Sequence, residues 1–277
     1  AVAEVGEHLL RSVGIDARAT HAFDLAPYPP GFDASDLLVA VASGEDRAFA
    51  SRAVQRASHA GLPSVAVVAP SGRISNATVT IPVGPDAEPP TGLACVPAGV
   101  AALAAVAGRF EPRSSLAESL PALREVVRSM LVSRDVAAEV AAPLPDPERR
   151  LLLVAAGPAM PLARAAALAL AETGGLLAVA QVVEDVMLGG LRALRPGDLV
   201  VQIAPAGPAD ARHRDLARVC SAVGIERWRI GGAADGARWH TDLPAIDEAL
   251  SPVAATISLL WFAHALLDGT EPQPNAS

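Results

Sequence analysis

The sequence predicts an α/β protein made of two α/β/α sandwiches in tandem, with mostly parallel sheets. Three observations carry that prediction. Two distant stretches repeat one β–turn–α pattern: DLLVAVASGEDRAFASRAVQRASHAG from Asp36 to Gly61, and DLVVQIAPAGPADARHRDLARVCSAVG from Asp198 to Gly224. Each repeat opens on an Asp, runs through apolar residues, turns on small ones, continues as an Arg-bearing amphipathic helix and closes on Gly. Each is followed by another strand, SVAVVAP from Ser64 and IERWRIGG from Ile225, which completes the unit of a parallel sheet. Finally, 277 residues with 51% hydrophobic content suffice for one large domain or two small ones with real cores.

Along the chain, Ala3 to Val13 reads as a helix stopped at Gly14, and Asp16 to His21 as a strand. The first repeat and its following strand come next. Arg113 to Ala142 reads as one long helix, ended by the Pro-rich run Ala141 to Pro147. RLLLVAAGP, from Arg150 to Pro158, reads as a buried strand ending in a turn. Met160 to Glu172 is an Ala/Leu helix closed by Gly174-Gly175, and Leu176 to Gln181 the next strand. After the second repeat, Ser251 to Leu267 reads as a last apolar helix with a polar tail, GTEPQPNAS. The first copy has no counterpart of the Arg150 strand. That strand and its turn are expected before Ala1, so the chain is expected to begin inside the first helix of a longer protein. The expected domains are 1–142, with the long connecting helix, and 150–277, joined by a linker at 143–149.

Composition removes several functions. All 22 basic residues are Arg, so no internal Schiff base to pyridoxal phosphate or a sugar carbonyl can form, and no Walker A loop exists. The net charge is −8, and no basic stripe interleaved with aromatics invites nucleic acid. Cys95 and Cys220 stand in no paired spacing, and the six His show no clustered ligand pattern. No metal site and no cofactor are expected. The start has no signal-peptide pattern, and the run Pro252 to Leu267 falls short of a bilayer span of about 20 residues. A cytoplasmic protein without membrane contact is the expectation.

The order strand–SGE–helix, then strand–Gly turn–Ala-rich helix ending in Ala-Glu172, then EDVMLGGLRAL, resembles a tandem sugar isomerase (SIS) domain protein. The pattern is most similar to the isomerase half of glucosamine-6-phosphate synthase, the glutamine–fructose-6-phosphate aminotransferase, and covers nearly the whole chain. The resemblance implies flavodoxin-like parallel sheets and a sugar or sugar-phosphate ligand. It also implies aldose–ketose isomerisation and a homodimer.

Its site residues carry over unevenly. The family's phosphate turn reads S-x-S-G-E-T; here it is Val41-Ala42-Ser43-Gly44-Glu45-Asp46. Ser43, Gly44, Glu45 and Asp46 are thus the implied ligand turn, with two hydroxyls lost. Gly157 occupies the matching turn of the second copy. Glu172 stands where the family places the base that moves a proton between C1 and C2. The family's ring-opening His falls at Leu188, sixteen residues later, and its C-terminal Lys has no counterpart. Those losses define the other expectation, a non-catalytic module that senses a sugar or assembles with partners.

Physical chemistry bears on each position. A carboxylate suits proton transfer at Glu172 if burial lifts its pKa; otherwise it is a solvated last-turn residue. Ser43-Gly44-Glu45-Asp46 equally suits a capped helix start whose acids favour the macrodipole. Arg47 and Arg73 are the cations nearest the first-copy turns in sequence. His240 in RWHTD is a weak substitute for the general acid, and His264 on the last helix reads as a core or interface residue. Glu184-Asp185 reads as a cap rather than a metal pair, and Thr91 and Cys95 rank low.

Overall fold

The computed structural model describes residues 1–25, 27–28, 30–42, 47–84, 92–131, 134–144 and 149–270. By its internal packing the chain divides into two units, Ala1–Ala117 and Glu118–Ser277.

The first unit contains α1 (Val2–Ser12), β1 (Leu38–Ala42), α2 (Ala48–His59), β2 (Ser64–Val68), β3 (Val79–Pro82) and α3 (Val96–Phe110). Its strands form a parallel sheet in the order β1-β2-β3. The repeat predicts β1, α2 and β2, and they form for the stated reason. Ala50 and Val54 of α2 bury against Ala40, Ala42, Ala66 and Val68 of the sheet, with Ile74 closing the cluster. The strand expected at Asp16–His21 does not form. That segment is tied to α1 instead: the Ala19 N–H donates to Glu7 and Arg11 Nε to the Ala17 carbonyl. A polar segment with its backbone held by a helix has no strand to pair with.

In the second unit, α5 (Leu123–Leu131) and α6 (Asp135–Ala141) precede β4 (Leu151–Ala155), α7 (Met160–Gly174), β5 (Ala178–Val182) and α8 (Val183–Leu188). Then come β6 (Leu199–Ile203), α9 (Asp210–Val223), β7 (Glu226–Ile230), β8 (Trp239–Thr241) and α10 (Ser251–Thr270). A short helix, α4 (Ser115–Ser119), spans the division between the units. The five strands pair in parallel in the order β5-β4-β6-β7-β8. One face buries Leu152, Val154 and Val200 against Val183 and Val186 of α8 and Leu216 and Cys220 of α9. On the other, Trp228 packs on Phe262 of α10 at 5.4 Å. The order β1–α2–β2–β3 recurs here as β6–α9–β7–β8, again in parallel.

The single long helix expected from Arg113 to Ala142 is broken. Between α4 and α5 lies a 3₁₀ turn, Leu120–Ala122, built on Pro121, which has no N–H to donate and whose ring obstructs a continuing helix. The resulting short helix α5 buries Val126 and Met130 against Ala254 and Ile257 of α10. The last helix is longer than expected. Glu248–Leu267 and Gly92–Phe110 each have the length and hydropathy of a bilayer span, but 72% of the former's apolar window is buried inside the protein. Its apolarity therefore serves the core of the second unit.

Candidate functional site

In an open parallel sheet, ligands settle outside the carboxyl ends of the strands where the strand order reverses. In the second unit that point lies between β4 and β6. After β4, Ala156 stays extended and Gly157 turns left-handed at φ +52°, a conformation that favours glycine. The chain then enters a 3₁₀ turn, Gly157–Ala159, and α7. After β6, Ala204 donates its N–H to the Ile230 carbonyl at 2.9 Å, and a Pro-Ala-Gly-Pro turn leads into α9.

The residue that stands between these two turns is Glu248. A methyl group at Gly207 would lie 2.5 Å from Glu248 Cδ and 2.6 and 2.7 Å from its two carboxylate oxygens; one at Gly157 would lie 3.8 Å from Oε1. Glycine at 207 is what lets the carboxylate rest on the turn. Its backbone is pinned. Asp247 Oδ1 accepts from the Ala249 N–H at 2.9 Å, and the Asp247 N–H donates to Ser119 Oγ at 3.2 Å. Burial, with help from the neighbouring Asp247 carboxylate, holds Glu248 above the usual carboxylate range. A titrating carboxylate in a strand-end crevice is a recognised mark of a functional position.

Beside it, the end of β7 is locked by charge. Arg229 is fully buried. Its Nη2 donates to Asp210 Oδ1 at 2.7 Å, its Nε to the Gly231 carbonyl at 3.0 Å, and its Nη1 lies 3.1 Å from Asp235 Oδ2. Arg214 reaches the other Asp210 oxygen at 3.2 Å. Deeper, Arg227 donates to Gln202 at 3.2 Å, and Gln202 Nε2 lies 2.7 Å from the His213 carbonyl and 3.0 Å from its Nδ1. Burial, reinforced by Arg229, drives the His213 pKa down to about 4. This network ties β6 and β7 to α9.

Gly157 thus stands just past the carboxyl end of β4. Glu172 is not beside it. It lies in the last turn of α7, exposed, and about 18 Å along the helix axis from Met160 at 1.5 Å per residue. Among the described residues no hydrogen bond or ion pair reaches it, and its own unit supplies none of the burial a general base needs. Ser43, Gly44, Glu45 and Asp46 lie outside the described residues, as does Thr91.

Next in sequence, Arg47 is half-buried. Its guanidinium carbon lies 3.1 Å from where a side chain at Gly72 would begin, and among the described residues its Nε has no hydrogen-bond partner. It therefore stands at the carboxyl ends of β1 and β2, whereas Arg73 is exposed.

The remaining candidates have other commitments. Leu188 ends α8 at 74% exposure. Glu184 forms a two-point pair with Arg212, at 2.5 and 2.9 Å. His240 Nε2 is 2.9 Å from the Gly232 carbonyl, an anchor for the turn after β7. His264 is exposed and stacks on Trp261 rather than lying in the core. Burial pushes the Cys220 thiol up to about 11, an inert state, while Cys95 is half-buried.

No protein-family model matches the sequence, and no curated protein does. The fold has clear counterparts. The chain superposes on the C-terminal domain of glucosamine-fructose-6-phosphate aminotransferase from Francisella tularensis with a TM-score of 0.82, covering 99% of this chain and 83% of that one at 14% identity. It is similar to tagatose-6-phosphate ketose/aldose isomerase from Escherichia coli (TM-score 0.78, 98% and 80% covered, 16% identity). It is also similar to glucosamine-6-phosphate deaminase from Thermotoga maritima (TM-score 0.74, 99% and 83% covered, 13% identity). The chain has the fold of these proteins, with two parallel sheets.

Proposed function

We propose that this is a carbohydrate-binding protein built from two SIS-type units in tandem, the first lacking its opening strand, that takes a sugar or sugar phosphate. In this reading the two sequence copies are divided by the linker at 143–149, C-terminal to the packing division at Ala117–Glu118, and the protein works as a cytoplasmic homodimer. The observation that carries it is the match of almost the whole chain to a protein named for fructose-6-phosphate, with two further counterparts named for hexose phosphates.

The ligand end is the turn Ser43-Gly44-Glu45-Asp46 of the first unit, with Arg47 supplying positive charge beside the two lost hydroxyls. Gly157 marks the corresponding turn of the second unit. If the protein is an isomerase, Glu172 is its base, and closure by a second copy provides the burial.

A second reading has its own support: Glu172 is exposed and Leu188 is apolar and exposed. It makes the protein a sensor or assembly module that binds without turnover. Calorimetry with fructose-6-phosphate and fructose, beside NMR of C2 proton exchange in heavy water, separates the two. Binding with exchange that Glu172→Gln abolishes supports the isomerase. Binding without exchange supports the sensor. Absence of binding by either sugar removes both.

A further inference from the structure

The two turns at the strand-order reversal of the second unit lead into α7 and α9, and the first amides of a helix have no partners within it. Such ends attract anions. In the β6–α9 turn that room is filled from within the chain. The Glu248 carboxylate rests on Gly207, close enough that a methyl group there would overlap all three of its terminal atoms, and it reaches toward Gly157. The contact is fixed by the Asp247 cap and by the bond from the Asp247 N–H to Ser119.

The charge balance of this corner singles out Glu248. Asp210, at the start of α9, is neutralised by Arg229 and Arg214. Asp235 is matched by Arg229. Among the described residues no Arg or His pairs with Glu248, and its immediate neighbour is another carboxylate, Asp247. The Glu248 carboxylate, with no cation paired to it among the described residues, is therefore set where an incoming anion would lie.

We propose that Glu248 is the specificity determinant of this crevice: its carboxylate excludes phosphate and other anionic groups from the second unit. Of the other residues at the turn, Pro208 has no N–H to offer, and the Asp210 charge is balanced by Arg229 and Arg214. Gly207 has no side chain, and Gly157 leaves the facing turn open. Anionic ligands of the whole chain are thereby confined to other surfaces. This claim concerns inorganic phosphate itself, so it stands or falls independently of any sugar chemistry.

The test is a titration of the full chain with inorganic phosphate at pH 7.5, read by the backbone amide signals of Gly157 and Gly207. In the wild type these signals stay in place. In Glu248→Ala, which removes charge and bulk, they shift with an affinity roughly a hundredfold above wild type, the penalty of a carboxylate about 5 Å away at an effective dielectric of about 20. Glu248→Gln removes charge but keeps most of the bulk, and falls between. It also serves should the Ala variant fold poorly. Wild-type shifts as strong as those of the variants overturn the proposal, and so does a folded pair of variants whose two amides ignore phosphate. Fructose-6-phosphate binding that leaves these two amides unmoved in the wild type bears on the proposed function and not on Glu248.

Discussion

Glu248, Arg229 and His213 show how differently three ionisable side chains behave within one unit. Burial and Asp247 raise the Glu248 pKa, so the folded state holds its proton to higher pH than the unfolded chain does. That contribution is fully present below the ordinary carboxylate pKa of about 4.3 and is lost as pH rises through the folded value. Glu248→Gln is therefore expected to raise the melting temperature at pH 8, with the gain vanishing at pH 4; differential calorimetry at both pH values checks this.

His213 runs the other way. Its pKa falls from 6.5 to about 4, so its contribution is complete above 6.5 and is lost as pH drops toward 4, a total of roughly 3 kcal/mol. NMR of the His213 ring should show it neutral down to pH 5. A midpoint near 6.5 would mean that burial and Arg229 do not hold the ring neutral. For Arg229, replacement by Ala strands Asp235 and leaves Asp210 to Arg214 alone, and should cost about 3–5 kcal/mol in urea melts.

At the scale of elements, the two repeats form where their apolar runs and Gly stops place them, because strand and helix periods are local properties. Gly224 closes α9 and Gly175 closes α7 in the left-handed conformation, as their positions in the sequence suggest. The elements that sequence leaves unread are the short ones. β3 and β8 are 4 and 3 residues long, and each forms only because a neighbouring strand offers it a ladder. The broken helix between the units was legible in principle, since Pro121 marks its turn. Core elements should tolerate little truncation. Leu153 of β4 is wholly buried, and Leu153→Ala should lower stability by about 2–5 kcal/mol, measured as a drop in urea midpoint at constant slope.

For the whole molecule, the fold matches hexose-phosphate proteins at 13–16% identity, a level at which the arrangement of layers persists while side-chain chemistry is free to change. This chain shares their arrangement of layers, while its basic residues are all Arg and Leu188 stands where the resemblance implies an imidazole. If the exposed Leu177, Val179 and Leu188 take part in the proposed homodimer, sedimentation at micromolar concentration should give twice the chain mass; a monomer at that concentration would leave Glu172 exposed and favour the sensor reading.

What the sequence by itself determined is the local alphabet: strands, amphipathic helices, glycine stops, the repeat, and the absence of every chemistry that needs a lysine. Gly157 could be named as a strand-end turn because a glycine after an apolar run carries that meaning without any partner. Only the tertiary structure decided which groups meet. Gly207 and Glu248 lie far apart in the chain, and Asp247-Glu248 before an apolar helix reads as an ordinary cap. The parallel sheet brings the carboxyl ends of β4 and β6 together and lays the start of α10 across them. Contact between residues so distant is set by packing, which no local pattern encodes.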